Sequence, residues 1–531
     1  MIGRRRWHDD ETVDVQIVGG VVRGVRERGL LAWRGIPYAA PPVGRRRFAS
    51  PAAVVPWAGI RDASDFGSAA PQALRNPLVH TPADVIAADE DCLTVNVHAP
   101  LWDDHGSNPL PVMVYIHGGG YSAGSSRDFS GQGEGFVRDG HVVYVSFNYR
   151  LGPLGYLDFS RYSTRDRRFE SNLGLRDQVA LLRWVRDNIG AFGGDAENVT
   201  VFGASAGGNA VTTLMATPSA RGLFARAIAQ SPPPGAVYPS SMSARWAGEF
   251  VEILRGVLES RAGHELEEPA QALPVDTTAR ELLTTAAPGA LVAACTVLQM
   301  RTPDAYPGMF CLAPVIDGDF LPHHPLRAFR DGTAYRVPLV IGTNNREGAI
   351  FRGRVDILPR TPARIEALFA RAPAGSRRRM RAAYPGLPAR RAAADFGGDF
   401  GFWFPSTQVA DYHSRFAATW AYRFDVAPRL LEILGLDATH GVEMFALFAR
   451  TDLAMARIIT AFGGAEEYAA AGHRMRTMWL RFAAGAPPEQ TWPSYREPDR
   501  STLIIDETDR VEHDPRRERR RAWHQFLPDI G

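Results

Sequence analysis

Two serines of the chain lie at the centre of a Gly-x-Ser-x-Gly pentapeptide, a pattern that can present a serine oxygen as a nucleophile. They are Ser122, within residues 120–124, and Ser205, within residues 203–207. The chemistry needs the serine on a sharp turn from a strand into a helix, where flanking glycines leave room for nearby backbone. Because the chain has 51 glycines, the pentapeptide alone is weak evidence, and the surrounding sequence must separate the two serines.

The sequence around Ser205 favours it as the nucleophile. Residues 199–202 predict a strand directly before the pentapeptide, and residues 207–215 have helical character directly after it. Ser122 instead follows three consecutive glycines and precedes a Ser-Ser-Arg-Asp segment without an apolar helical pattern. We therefore interpret Ser122 as a loop serine.

The three glycines belong to a His-Gly-Gly-Gly run, residues 117–120, that follows a predicted strand. Bare glycine amides can point at one spot where negative charge develops on a carbonyl oxygen, so the run predicts an oxyanion loop. Such a loop lies upstream of a nucleophile elbow, as this one does. A dinucleotide-binding loop is rejected because no helix is predicted to begin there to hold a pyrophosphate.

A serine nucleophile of this kind needs a histidine and a carboxylate further along the chain. Eight histidines follow the serine, and His440 differs from the others because it follows a loop-like segment and precedes a glycine. Two carboxylates compete for the third position: Glu347, shortly after a predicted strand, and Asp317, in a Val-Ile-Asp-Gly segment. The residues alone leave that choice open.

The elements that must position these residues are strands and helices in alternation. Short apolar runs predict buried strands at residues 93–97, 112–116, 142–147 and 199–202. Residues 173–189 have the apolar spacing of a helix. The alternation indicates an α/β fold with a large, mostly parallel central sheet flanked by helices.

After residue 240 the strand signal thins, and strand-like returns are left at residues 337–341 and 419–425. Amphipathic patterns there predict helices at residues 247–258, 363–372, 407–418 and 468–484. We expect these helical excursions to form a gorge over the serine. The aromatic cluster at residues 400–404 either lines that gorge or belongs to the core. Because no clean boundary interrupts the chain, we predict a single domain over residues 1–531.

Composition narrows the classes of protein further. The 60 basic residues, all arginine, against 58 acidic ones give a net charge of +2, which favours neither nucleic acid nor a membrane surface as a partner. Without lysine, no Schiff-base chemistry on a lysine is possible. The three cysteines have no zinc spacing, and neither a signal peptide nor a transmembrane segment is predicted. We therefore expect a cytoplasmic protein without a metal site.

Over nearly its whole length the chain resembles the type-B carboxylesterases, an α/β-hydrolase family that includes cholinesterases, bacterial para-nitrobenzyl esterases and mammalian carboxylesterases. Residues 192–207 match the serine signature of that family, and residues 90–97 resemble its second signature. Further similar phrases lie at residues 35–44, 148–153, 172–178, 314–318 and 492–495.

The resemblance implies roles for particular residues. The acid of the family lies in a Gly-x-Asn-x-x-Glu-Gly phrase, which here contains Glu347, and its histidine opens a His-Gly-x-Glu phrase, here at His440. Asp317 falls in a phrase without a catalytic role. The resemblance further implies a serine that supports the acid, Ser231, and three oxyanion-hole amides, those of Gly119, Gly120 and Ala206.

The expected activity is a serine carboxylesterase that hydrolyses small-molecule carboxylic esters through an acyl-enzyme, without a cofactor. An amide, carbamate or lipid-ester hydrolase with the same triad is the alternative, and a non-catalytic binding protein on the same fold comes after it. Two departures from the family stand out. Ala204 replaces the usual glutamate before the serine, which is expected to change the pH dependence. Cys92 occupies a disulfide position without a cysteine upstream to pair with, which agrees with a bacterial, cytoplasmic protein.

Overall fold

The computed structural model describes residues 6–8, 12–73, 87–101, 108–261, 277–351 and 356–527. Its strands are β1 (Arg6–His8), β2 (Thr12–Ile17), β3 (Gly20–Glu27), β4 (Leu30–Pro37), β5 (Ile60–Asp62), β6 (Thr94–Pro100), β7 (Leu110–Ile116), β8 (Val143–Phe147), β9 (Gly194–Ala204), β10 (Arg226–Gln230), β11 (Tyr238–Pro239), β12 (Val315–Ile316), β13 (Leu339–Asn344), β14 (Thr419–Phe424), β15 (Ser501–Ile505) and β16 (Arg510–His513).

The helices are α1 (Phe129–Gln132), α2 (Glu134–Gly140), α3 (Gly152–Tyr156), α4 (Leu173–Asn188), α5 (Ala206–Ala216), α6 (Ser240–Arg261), α7 (Ala279–Thr285), α8 (Pro288–Ala305), α9 (Pro325–Arg330), α10 (Pro362–Arg371), α11 (Ala374–Ala383), α12 (Arg390–Gly398), α13 (Phe404–His413), α14 (Arg429–Ile433), α15 (Met444–Leu447), α16 (Ala454–Ile459), α17 (Ala465–Ala483) and α18 (Arg517–Phe526). One π-helical turn, Asp399–Trp403, joins α12 to α13.

Fourteen of the described strands form one sheet, in the order β1-β2-β3-β4-β6-β8-β7-β9-β10-β13-β14-β15-β16, with β5 paired to β3. Every neighbouring pair from β8 through β7, β9, β10, β13 and β14 to β15 is parallel. Towards both ends of this order the neighbouring strands pair antiparallel, whereas β5 pairs with β3 in parallel. The predicted α/β fold with a parallel central sheet is therefore confirmed.

Two hydrophobic clusters cover the two faces of the parallel strands, because successive side chains of a strand point to opposite faces. On β7, Met113 belongs to one cluster and Val114 to the other. Val114 shares its cluster with buried residues of α4 and α5, whereas Met113 shares its cluster with buried residues of α17 such as Trp479. Strands buried on both faces explain the apolar runs in the sequence.

Some elements depart from the sequence prediction. The helix predicted at residues 407–418 is α13, which starts earlier, because the π-helical turn leads into it without a break, and ends at His413. Strands β15 and β16 were not anticipated, since only residues 503–505 of that hairpin are fully buried and apolar. Among the described helices none is long and apolar enough alone to cross a membrane, and one bent pair, α7 with α8, meets the length and composition test together.

Candidate active site

Ser205 occupies the turn between β9 and α5 and has φ 59° and ψ −122°, a backbone conformation that costs free energy in a residue with a side chain. Its N–H donates to the carbonyl of Gln230 at 2.9 Å, which ties the turn to the neighbouring strand. A Cβ atom on Gly203 would lie 2.6 Å from the carbonyl oxygen of Ile116, and one on Gly207 would lie 2.0 Å from it. The turn therefore requires glycine on both sides.

The glycine loop after β7 runs directly beside this turn, because a Cβ on Gly118 would lie 2.7 Å from the carbonyl oxygen of Ala204. Gly119 and Gly120 have positive φ values of 106° and 61°. Neither of their N–H groups has an acceptor in the described part of the chain. The N–H of Ala206 is the first of α5, where amides have no partner within the helix. Three unpaired amides thus lie around one turn, as an oxyanion hole requires.

Buried aromatic side chains hold the glycine loop in place. The hydroxyl of Tyr121 donates to Oδ1 of Asn209 on α5 at 2.6 Å, and that of Tyr149 donates to the carbonyl of His117 at 2.6 Å. The His117 ring stacks on Tyr149 with centroids 4.4 Å apart. Burial lowers the pKa of His117 to about 4, so this imidazole stays neutral and adds no charge to the loop.

The alternative serine, Ser122, is a member of this loop. Its hydroxyl donates to the carbonyl of Gly119 at 3.2 Å. That bond stabilises the loop, and the serine does not begin a helix. The geometry agrees with the interpretation of Ser122 as a loop serine.

The structure brings His440 and Glu347, 93 residues apart in sequence, into direct contact. The imidazole Nδ1 donates to Oε2 of Glu347 at 2.6 Å, and Oε1 of the same carboxylate accepts the N–H of Asn344 at 2.7 Å. A proton held on Nδ1 leaves Nε2 able to accept one. Asp317, the other carboxylate that the residues left open, instead accepts the hydroxyl of Ser171 at 2.5 Å.

The environment of His440 strengthens it as a base. Burial of the imidazole opposes protonation, but the Glu347 carboxylate outweighs this effect, and the pKa of His440 is raised above its ordinary value. The His440 side chain keeps 13% of its surface exposed, against 2% for Glu347. The carboxylate is thus the shielded member of the pair, and the imidazole is the one that a substrate can reach.

The aromatic cluster at residues 400–404 divides between the two predicted roles. The Phe402 ring, on the π-helical turn, lies 4.5 Å from the His440 ring between centroids, and so belongs to the site. The rings of Phe400 and Phe404 both have their centroids 5.9 Å from the Trp523 ring, and they belong to a hydrophobic cluster around that tryptophan. A widened helical turn is a common way to place a side chain at a functional site.

Ser231 directly follows β10, with φ 44° and its N–H donating to the carbonyl of Gly342 at 2.8 Å. Its hydroxyl has no hydrogen-bond partner among the described residues, so its supporting role stays a prediction. The three cysteines, Cys92, Cys295 and Cys311, are buried and unpaired. Over the described ranges, no group of three or more His, Cys, Asp or Glu side chains is arranged to hold a metal ion.

Two residues beside the acid–base pair were not identified from the sequence. The side-chain amide of Asn344 donates to Oε2 of Glu443 at 2.6 Å and to the carbonyl of Thr439 at 2.8 Å. Both residues lie in the phrases that contain Glu347 and His440, at offsets of three residues. A polar residue three positions from each predicted triad member was the signal in the sequence.

A parallel sheet with a Gly-x-Ser-x-Gly turn from strand to helix defines the protein as an α/β-hydrolase. The sequence profile described as the carboxylesterase family matches residues 9–378. The chain belongs to the carboxylesterase family.

Individual relatives agree with this assignment. The chain is 34% identical to the para-nitrobenzyl esterase of Bacillus subtilis (strain 168), over 96% of this chain and 98% of the relative. It is 32% identical to the phenmedipham hydrolase of Pseudarthrobacter oxydans, over 92% and 93%. A solved PNB esterase structure superposes with a TM-score of 0.81 at 32% identity, covering 97% of this chain and 99% of that one. The prediction of a carboxylic-ester hydrolase is thereby confirmed.

Proposed function

We propose that this protein is a serine carboxylesterase whose triad is Ser205, His440 and Glu347. The observation that carries the proposal is the 2.6 Å hydrogen bond from Nδ1 of His440 to the buried Glu347 carboxylate. It supports the proposal because this bond fixes the tautomer in which Nε2 can take the proton of a serine. The serine, on a strained turn between glycines, is the nucleophile.

In the acylation step the Oγ of Ser205 attacks the ester carbonyl carbon while Nε2 of His440 takes the hydroxyl proton. Glu347 stabilises the imidazolium that forms. The negative charge that develops on the carbonyl oxygen is stabilised by three main-chain amides, those of Gly119, Gly120 and Ala206. The positive end of the α5 dipole adds to this stabilisation.

The tetrahedral intermediate then collapses, the alkoxide leaves with the proton from His440, and the acyl group remains on Ser205. Water enters, gives a proton to His440 and attacks the acyl carbon. Collapse of the second intermediate releases the carboxylic acid and returns the proton to the serine oxygen. The chain's own residues supply every group that these two steps use.

The partner is a small-molecule ester, and similarity to a para-nitrobenzyl esterase and a phenmedipham hydrolase supports this class of substrate. Ser231, next to the strand that bears the acid, supports Glu347. One continuous sheet of fourteen strands, with β1 at one edge and β16 at the other, supports a single domain over residues 1–531. A bacterial source and a cytoplasmic location complete the proposal.

The test is hydrolysis of p-nitrophenyl esters from acetyl to dodecanoyl by the wild type, Ser205→Ala and the matched control Ser122→Ala. We expect Ser205→Ala to lose turnover, Ser122→Ala to keep it, and the chain-length optimum to give the size of the acyl pocket. Activity that persists in Ser205→Ala would contradict the assignment of the nucleophile. Matched amides, carbamates and long-chain lipid esters, assayed alongside, decide whether the ester is the preferred bond.

A further inference from the structure

A second carboxyl group, Glu443, is buried directly behind the acid–base pair. Its side chain is fully buried, and Oε2 accepts the side-chain amide of Asn344 at 2.6 Å. Oε1 has no hydrogen-bond partner in the described part of the chain. A buried carboxyl oxygen without a partner makes a negative charge on this group costly, because neither water nor a hydrogen-bond donor stabilises it.

Asn344 links this carboxyl group to both members of the pair. Its main-chain N–H donates to Oε1 of Glu347 at 2.7 Å. Its side-chain amide donates both to Glu443 and to the carbonyl of Thr439, the residue before His440. A shift of the Glu443 carboxyl group would therefore move the segment that holds the acid and the segment that holds the histidine.

The surroundings of Glu443 do not supply enough positive charge to balance negative charges on both Glu443 and Glu347. Among the residues that the structure describes, the ionisable groups that face it are Glu347, His440, Tyr115 on β7, Tyr422 on β14 and Tyr468 on α17. The three tyrosines are buried and neutral, because burial raises their pKa values. The imidazole is thus the one group in this set that can become a cation, and it is already bonded to Glu347.

Two buried carboxyl groups that share one possible cation cannot both be ionised without cost, so one of them tends to hold a proton. Glu347 accepts two hydrogen bonds, and both stabilise a negative charge on its carboxylate. Burial, with the Glu347 carboxylate adding to it, raises the pKa of Glu443 to about 7. The residue before the nucleophile, Ala204, brings no third carboxylate to the site.

We propose that Glu443 is a positioning residue whose charge sets the base strength of His440. In its neutral form it holds Asn344 and, through it, the Glu347 carboxylate. When it loses its proton to solvent, the added negative charge favours the imidazolium that forms during acylation. The inference rests on the proposed esterase function of Ser205, His440 and Glu347, and it predicts a gain in activity as Glu443 ionises.

The test compares the pH profile of kcat/KM for the wild type and Glu443→Gln from about pH 5.5 to 9, with product quantified by chromatography so that the readout does not depend on pH. Glutamine keeps an acceptor for Asn344 but cannot ionise. We expect the two profiles to converge at the acidic end, where Glu443 is neutral in the wild type. At the alkaline end the variant should be slower by roughly threefold to tenfold, the size expected for one buried charge acting through a neighbouring residue.

The same reasoning fixes the direction of a second effect. In the pH range where Glu443 ionises, its negative charge makes the wild-type imidazolium more stable, so the midpoint of the rise in activity should lie at lower pH for Glu443→Gln than for the wild type. The matched control is Glu432→Gln on α14, whose carboxylate is 44% exposed and paired with Arg429 on the surface. Its profile should follow that of the wild type. A purely structural role of Glu443 would instead lower activity by one constant factor at every pH, and that result would overturn the inference.

A direct measurement covers the case in which Glu443→Gln does not fold. In Ser205→Ala protein, the proton between His440 and Glu347 should give a downfield NMR signal whose shift follows both ionisations. Two inflections support the inference, and a single inflection overturns it. Failure of the esterase proposal is distinguishable, because it would appear as turnover by Ser205→Ala, whatever the profile of Glu443→Gln.

Discussion

Replacement of Glu347 by glutamine tests the geometry of the acid–base pair most directly. The carboxylate accepts two hydrogen bonds, from the main-chain N–H of Asn344 at 2.7 Å and from Nδ1 of His440 at 2.6 Å. An amide has one oxygen and one NH2 group, so Glu347→Gln can satisfy only one of these donors. The choice between them decides the outcome.

The main-chain N–H of Asn344 cannot move, and facing it with an NH2 group would leave two buried donors unpaired at a cost of about 1–3 kcal/mol each. The amide oxygen should therefore face Asn344, and the NH2 group should face the imidazole. That orientation forces Nδ1 of His440 to accept, which moves the ring proton to Nε2. An imidazole in this tautomer cannot take the proton of Ser205.

In a serine triad, a histidine that is in the wrong tautomer and lacks a carboxylate at Nδ1 lowers kcat about 10⁴-fold. This corresponds to roughly 5.5 kcal/mol of transition-state stabilisation. We expect Glu347→Gln to lose 10³- to 10⁴-fold in kcat by this estimate, with a far smaller change in KM because the substrate does not touch the acid. The assay is steady-state hydrolysis of a p-nitrophenyl ester, with the fraction of folded protein measured by circular dichroism.

The matched control is Asp317→Asn, which alters the other carboxylate that the sequence left open. Asp317 accepts hydrogen bonds from the side chains of Ser171 and Asn172, neither of which belongs to the acid–base pair. Its replacement should change stability while kcat per folded molecule stays within a few fold of the wild type. If Glu347→Gln instead kept more than a tenth of the wild-type kcat, or if Asp317→Asn lost as much, the reasoning from the hydrogen bonds would be refuted.

Three further predictions follow from single contacts. Gly207→Ala places a Cβ atom 2.0 Å from a main-chain oxygen of β7, so it should abolish activity and lower the midpoint of thermal unfolding. The control is Gly256→Ala on α6, where a Cβ atom has nothing within 4 Å, and it should leave stability unchanged or raise it by about 0.5–1 kcal/mol. Because the pKa of His440 is raised, activity should fall as pH drops through a value above the ordinary one for histidine. The contribution of its ion pair to stability runs the other way: it is full below the unfolded-state pKa and lost as pH rises through the folded-state value. Asp177→Asn leaves the guanidinium of Arg150, paired to it at 2.7 Å and buried, without its counter-ion, and should cost about 3–5 kcal/mol in a urea unfolding measurement.

The turn from strand to helix at Ser205 could be predicted from the sequence because its determinants are local. A strand, two glycines around Ser205 and an apolar helix are all contained within about twenty residues. The glycine loop was predictable for the same reason, since a glycine run directly follows the apolar strand β7. In both places the backbone geometry is dictated by residues next to one another in the chain.

The acid could not be chosen from the residues themselves. Glu347 and Asp317 both follow short apolar segments. They differ in that Glu347 contacts His440, which lies 93 residues further along the chain. Such contact depends on strand order, which places β13 next to β10 and β14 and cannot be read from periodicity. The family resemblance supplied the choice of Glu347, and the 2.6 Å contact with His440 agrees with it.

Asn344 and Glu443 were missed for a different reason. Asn344 ends a buried strand and Glu443 precedes a short helix, where polar residues commonly act as ordinary caps or surface groups. Their importance appears only when burial is known, because a fully buried carboxyl group needs a partner that an exposed one does not. The same holds for Phe402, since a π-helical turn that directs one ring of an aromatic cluster at the imidazole has no periodicity of its own.

The parts of the site that determine the reaction and the parts that determine the substrate are therefore built differently. The proposed nucleophile, oxyanion loop and acid follow the carboxyl ends of β9, β7 and β13, so the strands of one sheet fix their mutual positions. Phe402 instead contacts the imidazole from a helical segment outside the sheet. That segment packs closely on the turn that holds Glu347, because a Cβ on Gly398 would lie 2.4 Å from the main-chain nitrogen of Gly348. Substitutions in the sheet should therefore change kcat for all esters alike, whereas substitutions on the helix that bears Phe402 should change the ranking of substrates. A panel of esters with different acyl and alcohol groups, assayed on both kinds of variant, separates the two effects. A misplaced catalytic group slows every ester by the same factor, because all esters react through the same carbonyl group.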